Sequence, residues 1–293
     1  MKEKPSALAA HAMALFTIVV WGTTFIASKL LLDWYTPLQV MLMRFVLAYV
    51  VLLCLRPKLL VLPWKEELYM AALGFFGCTV YFLAENTALT YTLAANVSII
   101  VATAPILTAL LAHVALKDEQ VGRNNVLGFV IAIVGVALVV FNGTFILKLN
   151  PIGDLLSLGA AVCWAVYSVL LKRRVAQYDS ILLTRRVMLW GFVTALPMAF
   201  AEGAGFSLAP LADGALLFCV VFLGVVGSGI CYVLWNIATR RLGIVVVNNY
   251  IYVNPFATMV AAGLVLHEPI SWMGIVGAVL ILLGVFVSDR KVK

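Results

Sequence analysis

Ten apolar runs, each close to the length of a membrane-spanning helix, constrain this chain more than any other feature of its sequence. A helix needs about 20 predominantly apolar residues to cross the hydrocarbon core of a bilayer. The runs cover residues 10–32, 37–55, 68–89, 95–116, 125–142, 153–171, 181–201, 215–238, 245–266 and 272–288. Short stretches with turn-forming residues separate them. We therefore predict an all-α integral membrane protein with ten transmembrane helices.

The composition supports a lipid environment and leaves little chain for anything else. Of the 293 residues, 64% are hydrophobic and 11% are charged, whereas soluble domains average roughly 45–50% and 25%. The net charge of +7 does not indicate a nucleic-acid partner, because the basic residues are scattered between apolar runs and form no basic patch. We expect the lipid bilayer as a partner, and no nucleic acid.

The residues that usually carry catalysis or bind metals form no recognisable constellation. The cysteines all fall within apolar runs and lack the spacing of metal ligands, so we expect neither a disulfide framework nor a zinc site. The three histidines lie near the ends of predicted helices, and no P-loop is present. We therefore expect no catalytic residues, no metal, no cofactor and no ATP hydrolysis within this chain.

The distribution of Lys and Arg predicts the orientation of the helices. Cytoplasmic loops of membrane proteins carry an excess of these residues. Of the 20 in this chain, 15 fall on one side of a ten-helix topology, and only Lys148 lies in the opposite loops. We therefore expect both termini in the cytoplasm, which an even number of crossings allows.

The two halves of the chain repeat each other. A shift of 150 positions, without a gap, superimposes residues 74–118 on the second half. It matches Gly74, Gly77, Asn86, Pro105 and Thr108 with Gly224, Gly227, Asn236, Pro255 and Thr258. We predict two five-helix repeats, residues 1–147 and 148–293. Because five is odd, the second repeat must enter the membrane upside down relative to the first.

Inverted repeats are a recurring architecture of secondary transporters, with the substrate site near the bilayer midplane and between the repeats. If the two repeats adopt slightly different conformations, exchanging those conformations opens the site to the other side of the membrane. The sequence thus favours alternating access, and a duplication without any role in transport is the competing interpretation.

Several motifs recur in the same order in both halves. They are Trp21-Gly22 with Lys29, Arg44-Phe45, Pro105 and Pro255, Asp118 and Glu268, Gly128 with Gly135, and Gly277 with Gly284. Together they resemble the EamA-type branch of the drug/metabolite transporter superfamily, over essentially the whole chain. The resemblance implies a multi-pass protein of the bacterial inner membrane, often an exporter of amino acids and related metabolites. The chain departs from the pattern with Asp118-Glu119 where a single Glu is more usual.

Ten side chains are candidates for the wall of a substrate cavity. They are Trp21, Tyr81, Glu85, Asn96, Trp164, Tyr167, Trp235, Asn236, Asn248 and Tyr252. Glu85 is the one carboxylate well inside a predicted span, where an ionisable group indicates function by default. It could bind a substrate ammonium, exchange a proton or simply reach the interface. Arg44 could hold a substrate carboxylate or an internal structural partner.

Two prolines and four glycines are candidates for gating. Pro105 and Pro255 occupy equivalent places inside apolar helices, and each removes a backbone donor, which predicts a kink. The kinks could be moving gates or static bends. The glycines lie on one face of helices 3 and 8, where small residues allow close approach between helices. They are Gly74, Gly77, Gly224 and Gly227.

These observations predict an alternating-access transporter of small polar organic solutes, with export of amino acids, aromatic ones included, as the expected activity. Export of another metabolite or drug class, such as nucleobases or sugars, is the alternative, and a channel and a membrane enzyme that acts on lipids are further alternatives. Uniport and proton antiport both remain open. A monomer contains both repeats and is therefore sufficient for this mechanism.

Overall fold

The computed structural model describes residues 5–58, 60–116, 122–141, 150–203, 205–265 and 272–289. These residues form ten helical segments and contain no strand. The segments are α1 (Ala7–Leu32), α2 (Pro37–Leu55), α3 (Trp64–Tyr91), α4 (Ala94–Val101 and Ala104–Ala115), α5 (Arg123–Phe141), α6 (Pro151–Arg174), α7 (Ser180–Glu202), α8 (Gly214–Leu242), α9 (Ile244–Val265) and α10 (Trp272–Asp289). A 3-10 turn over Ala209–Ala212 precedes α8.

Within the described residues, eight segments are long and apolar enough to cross a membrane, namely α1 to α4 and α6 to α9. The apolar stretches of α5 and α10 are shorter, at Arg123–Gly135 and Ile275–Ser288. The all-helical class is therefore confirmed. By length and composition, eight of the ten crossings that the apolar runs predict are candidate spans among the described residues.

Side chains at the helix starts explain where several helices begin. α1 follows Ser6, whose hydroxyl accepts a bond from the first turn, and α2 follows a capping box formed by Thr36 and Gln39. α6 and α7 follow Asn150 and Asp179, which accept from two backbone N–H groups each. Such caps satisfy amide donors that have no partner inside the helix.

Four helices depart from regular α geometry, at matching places in the two halves. A π-helical turn interrupts α3 over Phe75–Val80 and α8 over Phe222–Ile230. α4 breaks just before Pro105, and α9 narrows to a 3-10 turn over Tyr250–Val253, just before Pro255. The prolines thus mark interruptions where the sequence predicts bends, whereas the π turns have no counterpart in the sequence analysis.

Helices of the two halves pack against each other in reciprocal pairs. α1 lies against α8 and α9, and α6 lies against α3 and α4. α2 packs on α7, and α5 packs on α10. Exchanging each helix for the one five places away converts this set of contacts into itself. The buried core therefore forms along the seam between the halves.

Glycines allow the backbones of α5 and α10 to approach closely. A Cβ atom on Gly128 would lie 2.5 Å from the carbonyl oxygen of Gly284. On Gly135 it would lie 2.6 Å from the carbonyl oxygen of Gly277. Small residues permit such contacts between membrane helices, where dispersion forces and weak polar contacts replace the hydrophobic effect.

Replacing Gly284 by Ala should destabilise the fold. The new Cβ would lie 2.7 Å from the backbone nitrogen of Ala132, and overpacking of this kind costs about 1–3 kcal/mol. Gly159→Ala in α6 is the matched control, because its Cβ would meet no atom within 4 Å. We expect a lower thermal midpoint for Gly284→Ala alone, measured in detergent by loss of the monodisperse gel-filtration peak. Equal midpoints for both variants would contradict the close contact.

Candidate functional site

A small cavity lies where the two halves meet, about half-way along the helices that line it. Its wall comprises Trp21, Thr24, Phe25, Arg44, Tyr81, Phe82, Glu85, Val101, Trp164, Tyr232, Ile251 and Asn254. These residues come from α1 to α4 in the first half and from α6, α8 and α9 in the second. The free volume is about 20 Å³, which is room for about one water molecule.

A larger cavity lies at the side of the bundle, between α2, α7 and α8, with a free volume of about 520 Å³. Its lining is apolar except for Gln39 and Glu202, and it includes exposed residues such as Val46 and Leu217. A groove of this composition offers few groups that could bind a polar solute. The central cavity is therefore the candidate site, despite its smaller volume.

Aromatic rings from both halves form much of the cavity wall. The ring centroid of Trp21 lies 5.1 Å from that of Trp164 in an edge-on arrangement, and 5.3 Å from that of Tyr232. Tyr81 lies 5.3 Å from Trp164. Edge-to-face and tilted pairs at these distances are the favourable geometries for aromatic rings. Trp21 and Trp164, which match in the sequence repeat, therefore meet at the centre of the molecule.

The two π turns bring a second matched pair to the cavity. Phe82 and Tyr232 each lie five residues after a glycine of the π turn, Gly77 and Gly227. The Tyr232 hydroxyl donates to the Gly77 carbonyl at 2.9 Å, and Trp21 Nε1 donates to the Gly227 carbonyl at 2.9 Å. Side chains of the opposite half thus pair with carbonyls of the irregular turns.

Two oppositely charged side chains line the cavity. Arg44 is 1% exposed and Glu85 is 3% exposed. Arg44 Nε donates to Ser228 Oγ at 2.8 Å, and its guanidinium carbon lies 3.9 Å from the centroid of the Phe82 ring. Glu85 accepts a hydrogen bond from the Tyr81 hydroxyl. The ion pairs among the described residues do not include one between Arg44 and Glu85.

Asn248 supports the cavity wall from behind. Its side-chain oxygen accepts from Trp164 Nε1 at 3.0 Å, and its side-chain nitrogen donates to the Ile244 carbonyl at 2.9 Å. The hydroxyls of Thr108 and Ser168 approach the same oxygen at 3.4 Å. Asn248 therefore fixes the orientation of Trp164.

The structure brings four of the ten candidates to the cavity wall, namely Trp21, Tyr81, Glu85 and Trp164. Tyr167 and Trp235 lie behind the wall, with ring centroids 5.2 and 5.8 Å from that of Trp164. Asn248 belongs to the same layer. These seven residues form one connected cluster around the seam.

The remaining candidates lie elsewhere. Asn236 donates to the Thr184 hydroxyl at 2.9 Å, away from the cavity. The Tyr252 ring packs 6.3 Å from that of Phe129 on α5. The side chain of Asn96 lies outside the described residues. Neither Asn236 nor Tyr252 lines the cavity.

The four candidate glycines each lie at a close contact between helices. A Cβ atom would lie 2.6 Å from the α7 backbone at Gly74 and 2.5 Å from an α2 side chain at Gly224. At Gly77 it would lie 2.2 Å from a ring of α6, and at Gly227 it would lie 3.1 Å from a side chain of α1. These glycines therefore set how closely the helices of the two halves approach.

Sequence reasoning missed several residues of the wall. Tyr232 and Phe82 lie outside the faces that regular helical spacing predicts, and Asn254 stands out in the sequence only as part of a polar stretch. The one sequence signal for the first two is their mutual match in the repeat, at an offset of 150 positions. The others are Thr24, Phe25, Val101 and Ile251.

Charged contacts between the halves cluster at one end of the bundle, which we call the basic end. Glu66 on α3 accepts two bonds from Arg174, at 3.0 and 3.2 Å, and one from the Tyr178 hydroxyl at 3.1 Å. Glu67 pairs with Arg186 on α7. Burial, and then the hydrogen bond to Glu66, raise the pKa of the Tyr178 phenol above its ordinary value.

Uncharged or singly charged contacts join the halves at the opposite end. Tyr35 donates to the Ser207 carbonyl at 2.9 Å, and Asn150 donates to the Tyr91 carbonyl at 3.1 Å. The hydroxyl of Thr36 donates to Glu202. The seam is therefore held at both ends, with the cavity between them.

The sequence model of the EamA-like transporter family matches this chain twice, over residues 8–141 and 151–288. The chain belongs to the EamA-like transporter family. The resemblance seen in the sequence is thereby confirmed, and the chain is a multi-pass membrane transporter and not an enzyme.

Relatives that match over nearly the whole chain are also described as transporters. An uncharacterized transporter of Archaeoglobus fulgidus is 27% identical, over 96% of this chain and 97% of its own. YyaM of Bacillus subtilis, described in the same words, is 28% identical over 97% and 94%. A probable terminal-alkyne amino-acid exporter of Streptantibioticus cattleyicolor is 30% identical over 94% and 91%.

A solved structure supports the fold of this chain. The crystal structure of another protein superposes on this chain with a TM-score of 0.77. The match covers 96% of both chains at 21% identity. The arrangement of helices described above therefore occurs in a protein whose structure was determined by experiment.

Replacing Asn248 by Leu should leave the indole N–H of Trp164 without a partner in a buried position. A buried donor that loses its acceptor costs about 1–3 kcal/mol. We expect a lower thermal midpoint in detergent, whereas Thr90→Ala, at an exposed side chain with only a local bond, should leave the midpoint unchanged. An Asn248→Leu variant as stable as the parent protein would show that Asn248 does not support the ring.

Proposed function

We propose that this chain moves small polar organic solutes across the bacterial inner membrane by alternating access, and that it exports amino acids and related metabolites. The central cavity is the observation that carries the proposal. It is buried between the two halves, and its wall combines aromatic rings with one cationic and one anionic side chain. Such walls can hold a solute that is polar at one end and apolar at the other.

The proposed mechanism rests on two repeats, residues 1–147 and 148–293, that enter the membrane in opposite orientations. Two observations support it. The family matches the chain once in each half, and the contacts between helices are preserved when each helix is exchanged for its repeat mate. In such an arrangement the exchange of conformations between repeats exposes the central site to each side in turn.

The size of the cavity supports a gated pathway over an open pore. Its free volume of about 20 Å³ holds about one water molecule, so an amino acid enters only when the halves separate at one end. Contacts at both ends of the seam, between Glu66 and Arg174 and between Tyr35 and Ser207, hold the halves together. Opening at either end requires breaking one set.

Amino acids are the proposed substrate class for two reasons. One relative is named a probable terminal-alkyne amino-acid exporter, and the cavity wall contains rings suited to an apolar side chain. Export of nucleobases or sugars is the alternative. A sugar site would need a ring of hydroxyl-binding groups, whereas the Tyr81 hydroxyl and the Trp164 indole of this wall already donate to Glu85 and to Asn248.

Purified protein in liposomes should show saturable counterflow of at least one amino acid. Alternating access requires that a loaded site return across the membrane, so unlabelled solute on one side accelerates uptake of labelled solute from the other. A panel of apolar, aromatic, acidic and basic amino acids, nucleobases and sugars would identify the class. A flux that rises linearly with concentration and shows no counterflow would indicate a channel.

Trp164→Ala should reduce this counterflow at least tenfold, because it removes the central ring of the wall together with its contacts to Trp21 and Tyr81. Trp272→Ala is the matched control, since that side chain on α10 is 73% exposed. Equal loss in both variants, or loss in neither, would contradict the assignment of the cavity.

Cysteine labelling tests the proposed orientation, with both termini in the cytoplasm. In a variant whose own cysteines are replaced by Ala, we expect Leu208→Cys to react with a membrane-impermeant maleimide added to intact spheroplasts. Lys58→Cys should react only after the membrane is broken, because it lies at the basic end. Labelling of both positions, or of Lys58→Cys alone, would overturn the orientation.

A further inference from the structure

Arg44 and Glu85 occupy an unusual position, because each is a buried charge beside a cavity and neither is paired with the other. Charges at membrane depth are costly and persist where they have a partner or a function. A guanidinium has five N–H donors in a planar fork. Of these, one is used by Ser228, and Nη1 is buried without any hydrogen-bond partner.

The same cavity wall also offers acceptors. Glu85 is bonded to Tyr81, which leaves lone pairs of its carboxylate unused. The side-chain oxygen of Asn254 on α9 is also buried without a partner, and Asn254 lines the same cavity. Unsatisfied buried donors and acceptors are rare in folded proteins, so each calls for an explanation. Here both kinds belong to residues that line one small cavity.

We propose that Arg44 and Glu85 are the two poles of a site for the zwitterionic head of an α-amino acid. The substrate carboxylate binds the Arg44 guanidinium, and the substrate ammonium binds the Glu85 carboxylate, with the Asn254 oxygen as a further acceptor. This assignment rests on the proposed export of amino acids and specifies how the site recognises them.

A zwitterion satisfies both buried charges at once, and the site should therefore discriminate against solutes that carry only one charge. The bound head is neutral overall, so the occupied cavity holds two charge-assisted contacts and no excess charge. A solute that lacks one of its charges leaves Arg44 or Glu85 buried and unpaired. Sites built around such groups reject analogues that lack the matching group far more strongly than they reject changes in apolar size.

The rings around the poles define the preferred side chain. Trp21, Trp164 and Tyr232 surround the charges with aromatic surface, and Phe25 and Val101 add apolar surface. Arg44 and Glu85 are the charged members of the lining, and the zwitterionic head engages both. The site therefore favours amino acids with apolar or aromatic side chains, since a third charge on the side chain would find no partner.

The first arm of the test uses the wild-type protein in liposomes and changes only the solute. The probes are phenylalanine, phenylalaninamide, 3-phenylpropanoate and 2-phenylethylamine, with the corresponding leucine series in parallel. Each is tested as an inhibitor of labelled amino-acid counterflow. We expect the three derivatives of each series to bind at least tenfold more weakly than the parent amino acid. Derivatives as potent as the amino acid would overturn the proposal, and this arm does not depend on any variant folding.

The second arm assigns each pole to its residue. Glu85→Gln should weaken phenylalanine at least tenfold and leave 3-phenylpropanoate, which has no ammonium group, unchanged. Arg44→Gln should weaken phenylalanine to a similar extent and leave 2-phenylethylamine unchanged, while Arg44→Lys should retain part of the affinity. Each comparison combines a residue substitution with the removal of one charged group from the solute. The two losses of affinity add unless that residue and that group contact each other, so a non-additive result identifies the contact.

The controls for this arm are Asp33→Asn and Arg241→Gln, which alter exposed charges outside the central cavity. They should change no affinity. If Glu85→Gln and Arg44→Gln weaken the amino acid and both derivatives by the same factor, the two charges are structural and the assignment is wrong. If the wild-type protein moves nucleobases or sugars but no amino acid, the proposed substrate class itself fails, and the poles fail with it.

Discussion

A backbone carbonyl without a hydrogen bond is costly in hydrocarbon, and this cost governs where the helices of this chain can depart from regular geometry. The π turns of α3 and α8 lie at the seam, where the opposite half supplies donors. Tyr232 donates to Gly77, and Trp21 donates to Gly227. Each half therefore completes the hydrogen bonding of the other, which explains why aromatic side chains with polar tips, and not leucines, occupy the centre of the molecule.

The helices of the fold and the places where two of them are interrupted can be predicted from local patterns in the sequence. Apolar length predicts the helices, and Pro105 and Pro255 mark the two interruptions. The site is predictable only in part. In a regular α-helix, Cys231 and Trp235 would lie on the same face as Gly227. The π turn inserts an additional residue, so that Tyr232 lines the cavity. The turn depends on a partner in another helix, and composition does not reveal such partners.

The cavity concentrates the features that oppose stability. Overlapping aromatic rings pack well there, yet two charges and an amide oxygen remain buried with unused capacity for hydrogen bonds. Natural proteins accept a loss of stability where function needs such groups. Asn248 shows the contrast, because its side-chain oxygen and nitrogen are both engaged and its role is to support Trp164. Asn248 behind the wall thus has both side-chain atoms engaged, whereas Arg44 and Asn254, which line the cavity, each keep a buried atom without a partner.

The length of α3 has a consequence of its own. It contains 28 residues, whereas about 20 cross a bilayer, and this excess allows its charged first turn, with Glu66 and Glu67, to lie in the headgroup layer. Dissolved ions reach Glu66 and Glu67 there, and at physiological salt they screen charges over about 8 Å. Arg44 and Glu85 lie beyond their reach. A rise in ionic strength on that face therefore weakens the ion pairs of Glu66 and Glu67 across the seam, while the electrostatics of the interior stay the same.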